Sequence, residues 1–373
     1  MFSAGETSGD IHGASLAREI KKISPSTELF GFGGDEMSKA GVRLVRNYKD
    51  YNVMGVAEVV KNLRRILNLL DVLTETVREE KPDLLVIIDY PDFNWRLAKR
   101  AKKLGTKIFS YIPPSAWAWR KGRAKDCAKI ADEFAAIFPF ELPVYEKAGA
   151  KIFFPGNPLV DTVKPEMSPE DAKEFFGVKD SEHVILLMPG SRKQEIKLLL
   201  PSMLGAAKIL SETRPTKFFL PLAANVDEEK ILQKISGANV EIIPVKKFRY
   251  DLMKISDAAI ATSGTVVLEA ALLDLPCVVL YKMATVNYFI ARLLVDVKNF
   301  SLPNILAGKR IQPELLQNEV TPEKISEEIL KLYRGEKNRE EVIAELQAAC
   351  KKLGEPGAAA RVAKKILEVA GEK

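Results

Sequence analysis

Residues Ala258–Lys282 read AAIATSGTVVLEAALLDLPCVVLYK, and the punctuation of this stretch decides the fold. An apolar run, Ala258–Ala261, stops at the polar turn Thr262-Ser263-Gly264-Thr265. A helical run follows from Val266 to Leu273, then Leu275-Pro276 and a second apolar run, Cys277–Tyr281. Strand, tight turn, helix and strand with short connections make a βαβ unit. A helix N-terminus leaves backbone N–H groups free and carries partial positive charge, which suits a phosphate. Gly264 allows close approach to the backbone, and the hydroxyls of Ser263 and Thr265 either cap the helix or bond an oxyanion. Glu269, one turn into an otherwise apolar helix, is placed to accept from a ribose diol while a pyrophosphate lies on the turn. The plainer alternative makes Ser263 an ordinary cap and Glu269 a solvated side chain.

A chain of 373 residues has room for two domains, each with its own core. Hydrophobic content of 47% against 28% charged residues places it among ordinary globular proteins. The sequence shows neither a run near the ~18 apolar residues of a membrane span nor a secretory leader pattern. Cys127, Cys277 and Cys350 are far apart and odd in number, which fits a reducing cytoplasm and offers no zinc or disulfide pattern. With only His12 and His183, a histidine metal site or a Ser-His-Asp triad is hard to build. A formal charge of +6 suits anionic ligands or an anionic membrane surface and is too small to argue for nucleic acid.

Outward from the opening stretch, strands and helices alternate along the chain. Met1–Ala4 reads as a strand, short for a central position, feeding the turn Gly5-Glu6-Thr7-Ser8-Gly9-Asp10 and a helix. Leu29–Gly34 (LFGFGG) is a second strand and turn without dinucleotide spacing. Val56, Val59, Val60, Leu63, Ile66, Leu67 and Leu70 recur on one helical face, with Lys61, Arg64 and Arg65 beside or opposite it. That face either packs in a core or meets lipid while the basic residues meet headgroups. Asp83–Tyr90 (DLLVIIDY) is a strand buried on both faces, and Asp89 at its C-terminal end lies where open α/β sheets bind ligands. Desolvation there raises a carboxyl toward general-base strength, whereas Asp92 reads equally as a helix cap. Strand Lys107–Ile112 leads into Pro113–Arg120, a stiff aromatic loop in which Trp117 either walls a sugar or acyl site or packs as core.

After strands at Phe134–Phe138 and Lys151–Phe154, prolines 158, 165 and 169 mark a linker. A second α/β set opens at His183–Met188, followed by Pro189-Gly190-Ser191-Arg192 and a helix to Leu210. This is a second anion-binding turn, with Arg192 able to grip a phosphate bidentately. Strands at Lys217–Leu220 and Val240–Ile243 follow, then the opening stretch. Ser301–Gly308 is too apolar for a solvated linker, and 309–373 reads as mostly helical. Both halves are therefore expected to be doubly wound α/β domains.

Seven motifs, in order, resemble those of the lipid-A-disaccharide synthase family. They are SAGETSGDIHGA (Ser3–Ala14), VMGVAEV (Val53–Val59), IDYPDFN (Ile88–Asn94), PSAWAWR (Pro114–Arg120), PGSRKQEI (Pro189–Ile196), TSGTVVLEAAL (Thr262–Leu272) and SLPNILAG (Ser301–Gly308). The resemblance implies a GT-B architecture, two Rossmann-like domains facing a central cleft. The acceptor domain is expected at 1–160 and the UDP-sugar domain at 161–344, with a C-terminal helix at about 345–373 packing back on the first. Pro113 and Asn157 depart from the family pattern on the acceptor side. A UDP-GlcNAc 2-epimerase or peptidoglycan-type GlcNAc transferase would share the turn around Gly264 but leave PSAWAWR and SLPNILAG unexplained. A non-catalytic nucleotide-sugar binding protein would leave the Asp89–Asp92 segment unexplained.

The implied reaction is inverting transfer of a diacylglucosaminyl unit from its UDP donor to diacylglucosamine 1-phosphate (lipid X), forming a β-1,6 linkage and releasing UDP. Asp89 is expected as the base, with Asp92 and Glu6 as helpers and Ser8 and Trp117 on the acceptor side. Arg192, beside Ser191, neutralises the leaving diphosphate, since the family uses no divalent metal or other cofactor. Ser263, Gly264 and Thr265 cradle the diphosphate, Glu269 holds the ribose, and Asn304 bonds the diphosphate or a sugar hydroxyl. The helix face bearing Val59, Leu63, Ile66, Leu67 and Leu70 matches the region that docks these Gram-negative enzymes peripherally on the cytoplasmic face of the inner membrane. A homodimer is compatible with the resemblance.

Overall fold

The computed structural model describes residues 1–51, 56–117, 122–223, 226–283 and 298–371, and side chains 56–63 fall outside the description. The chain divides into two compact units, Met1–Pro158 with Leu353–Lys373, and Leu159–Lys352. Each is built on one parallel sheet.

In the first unit the strands are β1 (Phe2–Ala4), β2 (Phe30–Gly33), β3 (Arg43–Asn47), β4 (Leu84–Ile88), β5 (Lys107–Tyr111), β6 (Glu133–Ala135) and β7 (Ile152–Phe153). Their order is β3-β2-β1-β4-β5-β6-β7. Chain direction across the sheet reverses between β1 and β4, and that switch point is where such sheets bind ligands. Although β1 has three residues, it is central: Phe2 pairs with Gly31 on one side and Val86 on the other. A Cβ at Gly31 would collide with the Phe2 backbone, so the glycine is what lets β2 lie against so short a strand. All five residues of β4 are buried, as a strand covered on both faces requires.

The second unit repeats the scheme with β8 (His183–Met188), β9 (Thr216–Pro221), β10 (Ile242–Val245), β11 (Ala258–Thr262), β12 (Cys277–Tyr281) and β13 (Glu314–Leu316), ordered β10-β9-β8-β11-β12-β13. Its switch point lies between β8 and β11. The opening stretch is thus strand, helix Thr265–Leu272 and parallel strand, with Ala259 paired to Cys277. Two strands are additions to the sequence reading. β3 carries exposed Arg43 and Arg46 on a sheet edge, and β13 is three residues within a stretch read as helical.

The C-terminal stretch divides differently from the sequence expectation. Helix Lys337–Cys350 stays with the second unit. Helix Ala358–Ala370 belongs to the first, burying Val362, Ala363, Ile366 and Leu367 in a cluster with Phe2, Leu16 and Ile20. Asn157 secures this return: its N–H donates to the Leu353 carbonyl at 2.8 Å and its Nδ2 to that of Ile137 at 2.8 Å.

Helix Val56–Glu80 corrects part of the lipid-facing expectation. Leu70 is 3% exposed and packs with Leu69, Leu73 and Val77 in the core, so it is not a lipid contact. Ile66 is half-buried against the same core, while Leu67 is 40% exposed. The side chains of Val59 and Leu63 lie outside the described residues. Among the described residues no helix is long and apolar enough to cross a membrane.

Candidate active site

The second unit carries a cleft at its switch point, and the first carries a cavity at the C-terminal ends of β4, β5 and β6. In the second unit a cleft of about 370 Å³ is lined by the turns after β8 and β11 and by the helices beside them, among them Ser191, Arg192, Arg249, Ser263, Gly264 and Glu269. Five of these six residues, all but Arg249, are ones the sequence predicts; Thr265, exposed at the helix start, also lines the cleft.

Gly264 is the N-cap of helix Thr265–Leu272 in an extended conformation, φ 170°. A Cβ built there meets no atom of the described residues within 4 Å, so none of them requires glycine there and the space opens to a ligand. Ser263 departs from expectation. Its hydroxyl neither caps the helix nor points free, but donates to the Phe300 carbonyl at 2.9 Å, leaving its oxygen only as an acceptor.

Glu269 is buried, 7% exposed, not solvated. Its Oε1 accepts from Arg249 Nη2 at 3.1 Å and from the Tyr250 hydroxyl at 3.4 Å. Burial pushes this carboxyl above its ordinary range, and Arg249 and Tyr250 pull it back. Arg249 and Tyr250 escaped the sequence reading; the signal was the basic run Lys246-Lys247-Phe248-Arg249 at the C-terminal end of β10.

Arg192 stands at the N-cap of helix Lys193–Ser211, 83% exposed at its side chain, with Nη1 3.0 Å from Glu195 Oε1. Glu195 lines the same cleft, so an incoming anion competes with a carboxylate for this guanidinium. An exposed pair of this kind is weak, which leaves Arg192 available to a doubly charged ligand.

Asn304 requires the largest revision. It is fully buried, and both its donors and its acceptor are engaged internally. Nδ2 donates to Gln312 O at 3.0 Å and Glu314 Oε1 at 2.8 Å, and Oδ1 accepts the N–H groups of Ile311 at 2.9 Å and Gln312 at 3.1 Å. Glu314 Oε1 also accepts the Ser301 N–H at 2.8 Å. Asn304 and Glu314 therefore shape the loop whose Phe300 carbonyl takes the Ser263 hydroxyl, and Asn304 has no group left for a ligand.

In the first unit a cavity of about 220 Å³ is lined by Asp89, Pro113, Ser115, Arg123, Phe138 and Glu141 among others. Asp89 follows β4 directly, and both Asp89 and Tyr90 adopt left-handed conformations, φ 46° and 50°. Loss of solvent raises the Asp89 carboxyl above its usual range; hydrogen bonds from the Tyr90 N–H and the Glu6 carboxyl act against that. A hydrogen bond between two carboxyl groups needs a proton held by one of them. The structure thus brings Glu6, which follows β1, to Asp89 across the switch point.

The remaining acceptor-side residues are less engaged. Asp92 is no cap: the N-cap of helix Pro91–Lys103 is Tyr90, and Asp92, 95% exposed at its side chain, pairs with Arg123 Nη2 at 3.1 Å. Ser8 is exposed in the first turn of helix Thr7–Ile23. Trp117 packs edge-on against Phe140 with ring centroids 4.8 Å apart. A residue the sequence reading missed is Glu141, 3% exposed on the cavity wall, whose Oε2 accepts the Phe138 N–H at 3.2 Å. Burial, reinforced by the charge of Asp89, pushes it up to about 7 against the pull of the Phe138 and Ile137 N–H groups. Its signal was a lone carboxylate in the aromatic run Phe138-Pro139-Phe140-Glu141 after β6.

Comparison with known proteins gives this geometry its family. The sequence model of the lipid-A-disaccharide synthetase family matches residues 1–366. The lipid-A-disaccharide synthase of Geobacter metallireducens is 40% identical, covering 100% of this chain and 97% of its own length. That of Syntrophus aciditrophicus is 42% identical, covering 97% and 95%. Among solved structures, the UDP co-structure of S. aureus MnaA superposes with TM-score 0.67 at 14% identity, covering 100% of this chain and 97% of its own. Acinetobacter baumannii MurG superposes with TM-score 0.62 at 15% identity, covering 99% and 98%. At such identities these neighbours speak for the GT-B fold alone. The full-length family match and the two relatives carry the rest: the chain belongs to the lipid-A-disaccharide synthase family of glycosyltransferases.

Proposed function

We propose that Asp89 is the general base, and the turn Ser263–Glu269 with Arg192 the UDP seat, of the family's inverting transfer. A diacylglucosaminyl unit passes from its UDP donor to the 6-hydroxyl of lipid X, forming the β-1,6 disaccharide 1-phosphate and UDP. Inversion is a single in-line displacement, so one group must take the acceptor proton as the anomeric bond to the diphosphate breaks. Asp89 supports this reading through its position at the end of β4 and its raised basicity. Glu6 hydrogen-bonds with the Asp89 carboxyl, and Glu141 lines the same cavity. On the donor side Gly264 and Thr265 open helix Thr265–Leu272, whose first N–H groups have no partner within the helix and suit a diphosphate, and Arg192 balances charge developing on UDP. Glu269, with one oxygen bonded to Arg249 and Tyr250, keeps acceptor capacity for a ribose diol.

The observation that carries the proposal is the pairing of features at the two switch points: an anion seat on one sheet, a basic carboxyl on the other. Purified protein supplied with UDP-diacylglucosamine and lipid X should form the disaccharide. Asp89→Asn should lower turnover by about 10²–10⁴-fold, the range of a lost general base, while UDP affinity stays within twofold. Near-normal turnover in that variant would reassign the base. Because both substrates are lipids, we place the enzyme peripherally on the cytoplasmic face of the inner membrane, with exposed Leu67 on helix Val56–Glu80 supporting the docking face.

A further inference from the structure

Asn94 closes the motif IDYPDFN and has had no role so far. Its side chain is fully buried beneath the C-terminal ends of β1 and β4. The two N–H groups of Nδ2 are shared among three carbonyls, those of Asp89 at 2.7 Å, Ser3 at 3.1 Å and Ile88 at 3.2 Å. Oδ1 accepts the Ser3 hydroxyl at 2.6 Å, and Ser3 is also fully buried. The amide has one workable orientation, because a flipped Asn94 would set its oxygen against three carbonyl oxygens. Ser3 reinforces that orientation from the other side.

The wedge sits where the backbone is least comfortable. Asp89 and Tyr90 are consecutive left-handed residues with side chains, a conformation that persists only when its surroundings hold it. Asp89 is held at both ends: its N–H donates to the Tyr111 carbonyl at 3.1 Å and its carbonyl takes the shortest of the Asn94 bonds. Strand pairing does not need the wedge, since β1 and β4 are already joined from Phe2↔Val86 to Ala4↔Ile88. What the wedge adds is control of the one residue that leaves β4 for the cavity.

We propose that Ser3 and Asn94 are positioning residues for Asp89, fixing the left-handed turn from which its carboxyl meets the acceptor hydroxyl. They act through the Asp89 backbone. This inference rests on the reading of Asp89 as the base.

The test is a double-mutant cycle on the full-length enzyme with both lipid substrates. Ser3→Ala should lower kcat by about tenfold and Asn94→Ala by about 100-fold, the scale of a misplaced catalytic group, with KM for each substrate within twofold. In an Asp89→Asn background neither change should lower the residual rate further, because nothing remains to be positioned. Ser3→Ala removes one oxygen and carries the test even if Asn94→Ala fails to fold; melting curves accompany each variant. If Ser3→Ala leaves kcat unchanged while Asp89→Asn is inactive, the positioning role is overturned and the base stands. Equal losses with and without the Asp89 carboxylate would reduce the wedge to a structural tie. An active Asp89→Asn enzyme would overturn the base reading, and this inference with it.

Discussion

Glu141, on the cavity wall with Asp89, illustrates how a residue's surroundings set its task. Glu141 is buried with its carboxyl pushed up to about 7, so the folded protein holds its proton more tightly than the unfolded chain does. Stability from this group is therefore fully present below the unfolded value near 4.5 and declines as pH rises toward 7. The decline is on the order of 3 kcal/mol from about 1.4 kcal/mol per pKa unit. Glu141→Gln keeps an acceptor for the Phe138 N–H and should flatten the melting temperature between pH 5 and pH 7; an unchanged slope would count against it. Arg192 presents the opposite case, a cation already tied to Glu195. Arg192→Ala should weaken UDP binding by about 10-fold or more, the worth of a charged hydrogen bond. Glu195→Gln should tighten it several-fold, and titration calorimetry separates the two outcomes.

At the scale of elements, helix Val56–Glu80 shows what periodicity reveals and what it leaves open. A stripe of apolar residues at three- and four-residue steps announces an amphipathic helix, and the helix is there. The stripe alone does not say which edge meets the sheet. Packing puts Leu69, Leu70, Leu73 and Val77 inside and leaves Leu67 outside. Leu70→Asp should therefore destabilise the protein by several kcal/mol, since it buries an unpaired charge. Leu67→Asp should change melting by little yet weaken co-sedimentation with anionic vesicles. The loop Ser301–Gly308 teaches the same lesson about function. Its apolar character in the sequence showed that it is not a solvated linker, but a buried asparagine reads alike whether it bonds a ligand or its own loop. Only its four side-chain hydrogen bonds, one of them to Glu314, tell the two apart, and Glu314 lies on a strand too short for any pattern to announce.

For the whole molecule, the legible part was the repeated alternation of apolar runs and helical stripes, which sets two parallel sheets and the switch points that follow from their order. Turn residues after β1, β4, β8 and β11 could be named because strand ends are where the sheet exposes polar backbone. Glu141 and Arg249 go unnamed and Asn94 has no role in the sequence, because each reaches its site from an element whose neighbours only folding supplies. The C-terminal segment shows how strongly the first unit depends on residues remote in sequence. Val362, Ile366 and Leu367 are nearly fully buried there, each worth about 1.5–3 kcal/mol. Together they approach the whole stability of an ordinary domain. Truncation before Leu353 should unfold the first unit while the second still melts cooperatively, a pattern calorimetry and limited proteolysis would show.

The empty space at Gly264 bears on how this protein ages in evolution. The backbone there is extended and no described residue crowds a side chain, so the described packing places no demand on the position. Selection for the ligand does. In a lineage that no longer needs the reaction, this glycine is free to drift at once, while Asn304 and Glu314 stay fixed by the loop they hold together. Position 264 is thus a recorder of use: its identity registers whether the pocket is still being filled, long after the rest of the chain continues to fold as before.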